Sequence, residues 1–174
     1  MKKIQLLLIL TFFITTIYSQ SIFIGTKSYP ATDTWAFLKS GKYEGFMVYS
    51  VADICFAKAS SGGYLMISTE TVTSDESING NILIYLTNGK AFALSNRIFN
   101  DYSDNKAISI YSVSSSQISM LETSDISKIR YSIVSNYNKE GFTAENRHNI
   151  SQQPGVYDEA TYNTAQKIKE LFNL

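Results

Sequence analysis

The chain has 174 residues, 15 basic and 15 acidic, no net formal charge, one histidine and one cysteine. That length suits one domain, and the lack of any basic run argues against nucleic-acid binding, which needs a Lys/Arg footprint. One cysteine excludes an intrachain disulfide, and one His with one Cys cannot make a zinc site, which wants several such ligands closely spaced.

The N-terminus carries the clearest signal. Lys2 and Lys3 precede fourteen residues from Ile4 to Ile17 that are largely apolar, and Tyr18-Ser19-Gln20 follows. This order predicts a secretory signal peptide over residues 1–20, cleaved near Ser19 or Gln20. The run is shorter than the roughly 20 residues a membrane helix needs. No cysteine lies near the cut to carry a lipid. The expected product is secreted or periplasmic, unlipidated, and without stable membrane insertion. Losing Lys2 and Lys3 leaves thirteen basic against fifteen acidic residues, a net charge of −2. Residues 21–174 are then a single β-rich domain ending in a helix. A chain of this size buries roughly 70% of its unfolded surface, enough for a core without staples.

Short runs of Tyr, Phe, Ile, Val and Thr, broken by Gly, Asn, Ser and Asp, predict strands along the whole domain. Ile22-Phe23-Ile24 opens it and Gly25 ends that strand. Tyr29-Pro30 marks a turn or an edge, since Pro donates no ladder hydrogen bond. Trp35 to Leu38 is a second strand, and Phe46 to Val51 with Ile54 to Ala57 read as one bent strand. Gly62-Gly63 is a turn. Tyr64 to Val72 follows, with Leu65, Ile67 and Thr69 on one face and Tyr64, Met66 and Ser68 on the other.

Ser77-Ile78-Asn79-Gly80 predicts a turn. Ile82 to Leu86, apolar on both faces, predicts a central strand. Asn88-Gly89 then predicts a type I′ hairpin to Lys90–Leu94, because that turn demands positive φ at both positions. With the strand before residue 77 these form a three-stranded meander. Ala107 to Val113 is a further strand. Ser114-Ser115-Ser116-Gln117 fits a capping box, with Ile118 and Leu121 on one helix face. Ile126 to Val134 returns to strand. The link through this helix is too long for a tight hairpin, so the strand is expected either beside a non-sequential neighbour or capping the far side of the sheet. Residues 135–156 are polar, with an edge strand around Phe142-Thr143-Ala144. The last helix is expected over about 158–172, capped by Asp158, with Glu159 at its positive end and Lys167 and Lys169 in its last turns. Ala165, Ile168, Leu171 and Phe172 make its apolar stripe.

Candidate chemistry is sparse. Cys55, in an apolar strand, reads as a small buried hydrophobe. His148, in a polar loop, reads as a solvated residue. Asn100 to Asn105 reads as an acidic loop between strands, whose Asp101 and Asp104 are weak calcium candidates without EF-hand spacing. Glycoside hydrolysis would need two acids about a sugar bond. Glu44, Asp53, Glu70, Asp75 and Glu122 are available, and no spacing singles out a pair. Among the aromatics, Tyr29 and Trp35 near the Pro turn are candidates for a stacking platform for a sugar or peptide, and Tyr137 and Tyr157 for further contacts. Core or cross-strand pairing is the competing reading for all of them.

Five stretches carry a resemblance. They are residues 22–32 (IFIGTKSYPAT), 62–67 (GGYLMI), 82–89 (ILIYLTNG), 126–133 (ISKIRYSI) and 141–146 (GFTAEN). Together they resemble a group of small secreted β-rich bacterial proteins of unassigned function. The resemblance implies a single exported domain and supplies no catalytic residues.

The sequence therefore predicts a mainly β (α+β) fold. It is an antiparallel β-sandwich or half-open barrel, with a short helix near 115–122 and the C-terminal helix packed on the sheet. A strongly curved single sheet, its concave side filled by that helix, is the alternative. The expected function is a secreted, non-enzymatic binding or interaction module for a glycan or protein at the cell exterior, with no cofactor. A structural or surface-assembly protein, or an inhibitor of a secreted partner, is an alternative. A hydrolase using paired carboxylates is another.

Overall fold

The structure is a computed structural model describing residues 20–39, 50–150 and 158–173. Residues 1–19, over which a signal peptide was expected, the run 46–49, Glu44 and Tyr157 lie outside the described residues. The strands are β1 (Gln20–Ile24), β2 (Lys27–Ala31), β3 (Trp35–Lys39), β4 (Ser50–Lys58), β5 (Gly63–Glu70), β6 (Ser77–Leu86) and β7 (Ala91–Leu94). Then come β8 (Arg97–Ser103), β9 (Lys106–Val113), helix α1 (Ser115–Leu121), β10 (Ile126–Val134), β11 (Lys139–Glu145), β12 (His148–Asn149), β13 (Glu159–Ala160) and helix α2 (Thr164–Phe172).

Eleven strands form one antiparallel sheet in the order β7-β6-β10-β11-β3-β4-β5-β9-β8. The β1–β2 hairpin branches from β4 through the pair Ala31↔Ala57. The sheet is rolled and open, the half-open form of the expected barrel. Its two ends meet through side chains. β7 pairs β6 only over residues 82–85, so nothing extends the ladder beside residues 77–81 on that side. There the Ile78 carbonyl accepts from Arg97 Nη1 at 2.6 Å and from Ser109 Oγ at 3.2 Å. The Gly80 carbonyl accepts from the Tyr111 hydroxyl at 2.9 Å.

Period-two alternation gives each strand two faces. Inward side chains, including Phe37, Ile54, Phe56, Leu65, Ile67 and Tyr111, build one main core with Ile118 of α1 and Ile168 of α2. On the outer face of β4 and β5, Cys55, Ala57, Tyr64 and Met66 form a second cluster under the β1–β2 hairpin, with Ile22 and Ala31. Thr32 fixes the hairpin's exit. Its N–H donates to the Phe56 carbonyl at 2.8 Å, and its hydroxyl accepts from the Phe56 N–H at 3.1 Å.

Several turns differ from the sequence reading. Ser77 to Gly80 is not a turn; β6 runs through it. Gly80 has φ +82° and lies where the register against β10 skips from Leu83 to Asn79, a bulge that Gly's freedom permits. β6 therefore pairs with β7 and β10 but not β5, and the expected meander of β5, β6 and β7 does not form. The β6–β7 hairpin exists, but only Gly89 has positive φ at its turn. The Gly89 N–H donates to the Leu86 carbonyl at 3.1 Å and the Leu86 N–H to the Lys90 carbonyl at 2.8 Å. That is a three-residue loop, a type I turn followed by a left-handed glycine, in place of type I′. The two-residue turn with positive φ at both positions is Asp104-Asn105, at 52° and 59°, joining β8 to β9. Most of the expected acidic loop is thus strand β8.

Near the C-terminus, β11 forms where an edge strand was expected, but it lies inside the sheet between β10 and β3. Non-sequential pairing of β10 with β6 is as expected. The last helix is shorter than predicted. Residues 158–163 lead into it through β13, which pairs with β12, and the cap is Asn163, accepting from the Gln166 N–H at 3.3 Å. Glu159 lies in β13 and pairs with Arg147 at 3.1 Å. The capping box on α1 is present. Ser114 Oγ accepts from the Gln117 N–H, and the Gln117 amide oxygen accepts from the Ser114 N–H at 2.9 Å. The same amide donates to the Ala93 carbonyl of β7 at 3.1 Å, so one residue caps the helix and ties a sheet edge.

Tyr111→Phe leaves the exposed Gly80 carbonyl to water and removes one cross-seam hydrogen bond. It should cost about 0.5–1.5 kcal/mol, read as a lower urea midpoint with unchanged slope. Cys55 is fully buried, and burial pushes its thiol up to about 12. At about pH 8, near the ordinary thiol value, the native protein should resist iodoacetamide, and urea should make Cys55 fully reactive.

Candidate functional site

The outer face continues past the hairpin. Asp53 on β4 stands opposite Ala36 on β3 and Ser68 on β5, and Glu70 on β5 stands opposite Lys106 on β9. Alternation places Asp53 two residues from Cys55, and Ser68 and Glu70 in line with Tyr64 and Met66, so all four polar groups share one side. They border a half-open cavity of about 160 Å³, lined also by Ala36, Ala52 and Thr69.

Lys106 Nζ donates to Asp53 Oδ2 at 2.6 Å. This bond, reinforced by the charges of Asp53, Glu70 and Asp104, holds the Lys106 ammonium above the ordinary lysine range. Lys106 therefore stays protonated and serves as a donor rather than a nucleophile. The two side chains keep 36% and 21% of their exposure. A partly wet pair of this kind contributes about 0.5–1 kcal/mol. Beneath the strands, the Tyr131 hydroxyl donates to Thr69 Oγ1 at 3.3 Å, and burial pushes the Tyr131 phenol up to about 12. The cavity thus combines carboxylate acceptors, an ammonium, the Ser68 hydroxyl and small apolar groups.

The aromatic candidates do not form a joint platform. Trp35 is only 3% exposed and lies in the main core, tilted against Phe56 and Tyr162 with centroids 6.2 and 6.3 Å away. Tyr29 is half-buried on the opposite, outer face, edge-on to Tyr64 at 5.0 Å. Inward alternation of β3 took Trp35 away from Tyr29. Tyr137 is 96% exposed at the β10–β11 turn, away from the cavity-lining strands. Asp101 is exposed in β8 and accepts from the Tyr102 N–H at 2.8 Å, while Asp104 sits in the β8–β9 turn. Among the described residues no three His, Cys, Asp or Glu side chains group as metal ligands. His148 is half-buried in β12, stacked on Tyr162 at 4.0 Å, rather than solvated in a loop.

Of the candidate acids among the described residues, Asp53 and Glu70 border one cavity. A hint was present in residues 51–57, where Asp53 is the one charge in an otherwise apolar strand. Its partners lie 15 to 53 positions away, and only the strand register brings them together.

Comparison with known proteins finds no matching family model, no matching curated protein and no matching solved structure. The chain's function is therefore argued from its own residues. Among the described residues no helix is long and apolar enough to cross a membrane.

Lys106→Met should reduce stability by about 0.5–1 kcal/mol at neutral pH. The raised folded-state value means that the gap from the parent chain is full below the ordinary lysine value. It should close as pH rises through the elevated one. Urea titrations of both chains at neutral pH and at about 11.5 would test this.

Proposed function

We propose that the protein is an exported, non-enzymatic binding module that recognises a glycan or protein at the cell exterior through the cavity between β3, β4, β5 and β9. The observation that carries this reading is the state of the cavity's charges. Asp53 is already engaged by Lys106 at 2.6 Å, which favours hydrogen-bonding complementarity over proton transfer. The basic, apolar and small-residue order of residues 1–20 supports export as an unlipidated chain cut near Ser19 or Gln20. The resemblance to small secreted bacterial β proteins agrees with it.

A second reading, a hydrolase with paired carboxylates, draws on the convergence of Asp53 and Glu70 at one cavity. It requires one acid to protonate the leaving group, whereas Asp53 Oδ2 is already occupied as the acceptor of the Lys106 hydrogen bond.

The mature chain, residues 21–174, immobilised as bait, should enrich one component of the native exterior fraction or bind on a glycan array. Asp53→Asn with Lys106→Met should weaken capture at least tenfold, whereas Tyr137→Ala should not. Failure of both screens would overturn the binding reading. Glycoside turnover by the parent chain that Glu70→Gln abolishes would favour the hydrolase.

A further inference from the structure

We propose that the cavity bordered by Asp53, Ser68, Glu70 and Lys106 accepts one neutral, polyhydroxylated six-membered ring, a single sugar unit. This rests on the binding reading above and names its ligand class.

Size is the first argument. A cavity of about 160 Å³ is close to the roughly 150 Å³ that admits one benzene ring in an engineered core. It holds one ring and leaves no room for a second. Lining is the second. A benzene site is dry and apolar, whereas here two carboxylates, an ammonium and a hydroxyl face a half-open space. Neighbouring sugar hydroxyls each donate and accept. They match a site that offers an acceptor, Asp53 Oδ2, and a donor, Lys106 Nζ, 2.6 Å apart. Ser68 can serve in either role, and Ala36 leaves a small apolar area for the C–H face of the ring.

Charge is the third argument, and it gives selectivity. Asp53 and Glu70 against Lys106 leave the lining one negative charge in excess. Bringing an acidic sugar there adds like-charge repulsion at short range. Neutral rings are accepted and uronic acids rejected. The pair is partly solvated and exchanges one set of hydrogen bonds for another on binding, so one ring alone should bind weakly, at ~1–10 mM. A longer glycan would gain affinity only through contacts outside the cavity.

The test is a saturation-transfer and amide-shift NMR titration of the mature chain. Its probes are the methyl glycosides of glucose, galactose, mannose and N-acetylglucosamine, with methyl glucuronide as the acidic comparison. At least one neutral glycoside should shift the amides around Asp53, Ser68 and Lys106 saturably, and methyl glucuronide should not. Asp53→Asn should weaken binding about tenfold. Glu70→Gln, at an exposed position, gives a second variant if the first is poorly folded, and it should admit the glucuronide. No saturable shift with any neutral glycoside overturns the proposal. So does equal binding of the glucuronide, or binding unchanged in both variants. Capture of a protein from the exterior fraction without glycoside binding would overturn the sugar assignment and leave the binding module standing.

Discussion

The rolled shape depends on two backbone carbonyls of β6 that no strand pairs. Where β7 stops, Ile78 and Gly80 would present bare acceptors at a core boundary, and for the buried Ile78 an unpaired carbonyl costs on the order of 1–3 kcal/mol. Arg97, Ser109 and Tyr111 reach across from β8 and β9 to fill them. The contacts do more than satisfy acceptors. They place Ile78 and Leu94 from one end of the sheet in the same core as Tyr111 and Val113 from the other. A flat sheet could not do this, and the two helices would have no common interior to cover. The bulge at Gly80 belongs to the same constraint, because it lies in the stretch whose carbonyls receive the crossing side chains.

The same strands serve two purposes through their alternation. In β4, Ile54 and Phe56 face the main core, Cys55 and Ala57 face the hairpin, and Asp53 reaches the open cavity. The cavity therefore stands on the most tightly held part of the molecule, with its floor fixed by ladders on both sides of β4 and β5. Such support suits a preformed recognition site, since a rigid site spends little ordering entropy on binding. The β1–β2 hairpin bounds the outer face with a single pair to β4 and the Thr32 clasp.

Strand existence was largely legible, because period-two alternation and β-branched runs report burial directly. β5 has its two faces as read, and the α1 capping box is written in four consecutive residues. Turn geometry was less legible. Asn88-Gly89 looked like the hairpin turn with two positive φ angles, yet that conformation occurs at Asp104-Asn105, where the loop length allows only two residues. Asn79-Gly80 looked like a break, yet β10 holds both sides of it in one strand. The site was the least legible part. Tyr29 and Trp35 are six positions apart and end on opposite faces, whereas Asp53 and Lys106 are 53 apart and in contact. Local pattern carries no information on register between distant strands.

The C-terminal helix bears on how the chain can be made. Thr164 accepts from the buried Ile126 N–H at 2.8 Å, and the Asp125 carboxylate accepts from the Ala165 N–H at 2.8 Å at the positive end of α2. Phe172 fills the space a side chain at Gly63 would take, and its carbonyl accepts from Lys58 Nζ at 3.2 Å. Partners for residues as early as 58 thus arrive only with the last turn of α2. A nascent chain emerging residue by residue would hold partly paired strands until α2 appeared. Completion of the fold then awaits the emergence of α2, and the pairing of strands distant in sequence, β10 with β6 and β11 with β3, implies slow closure even afterwards.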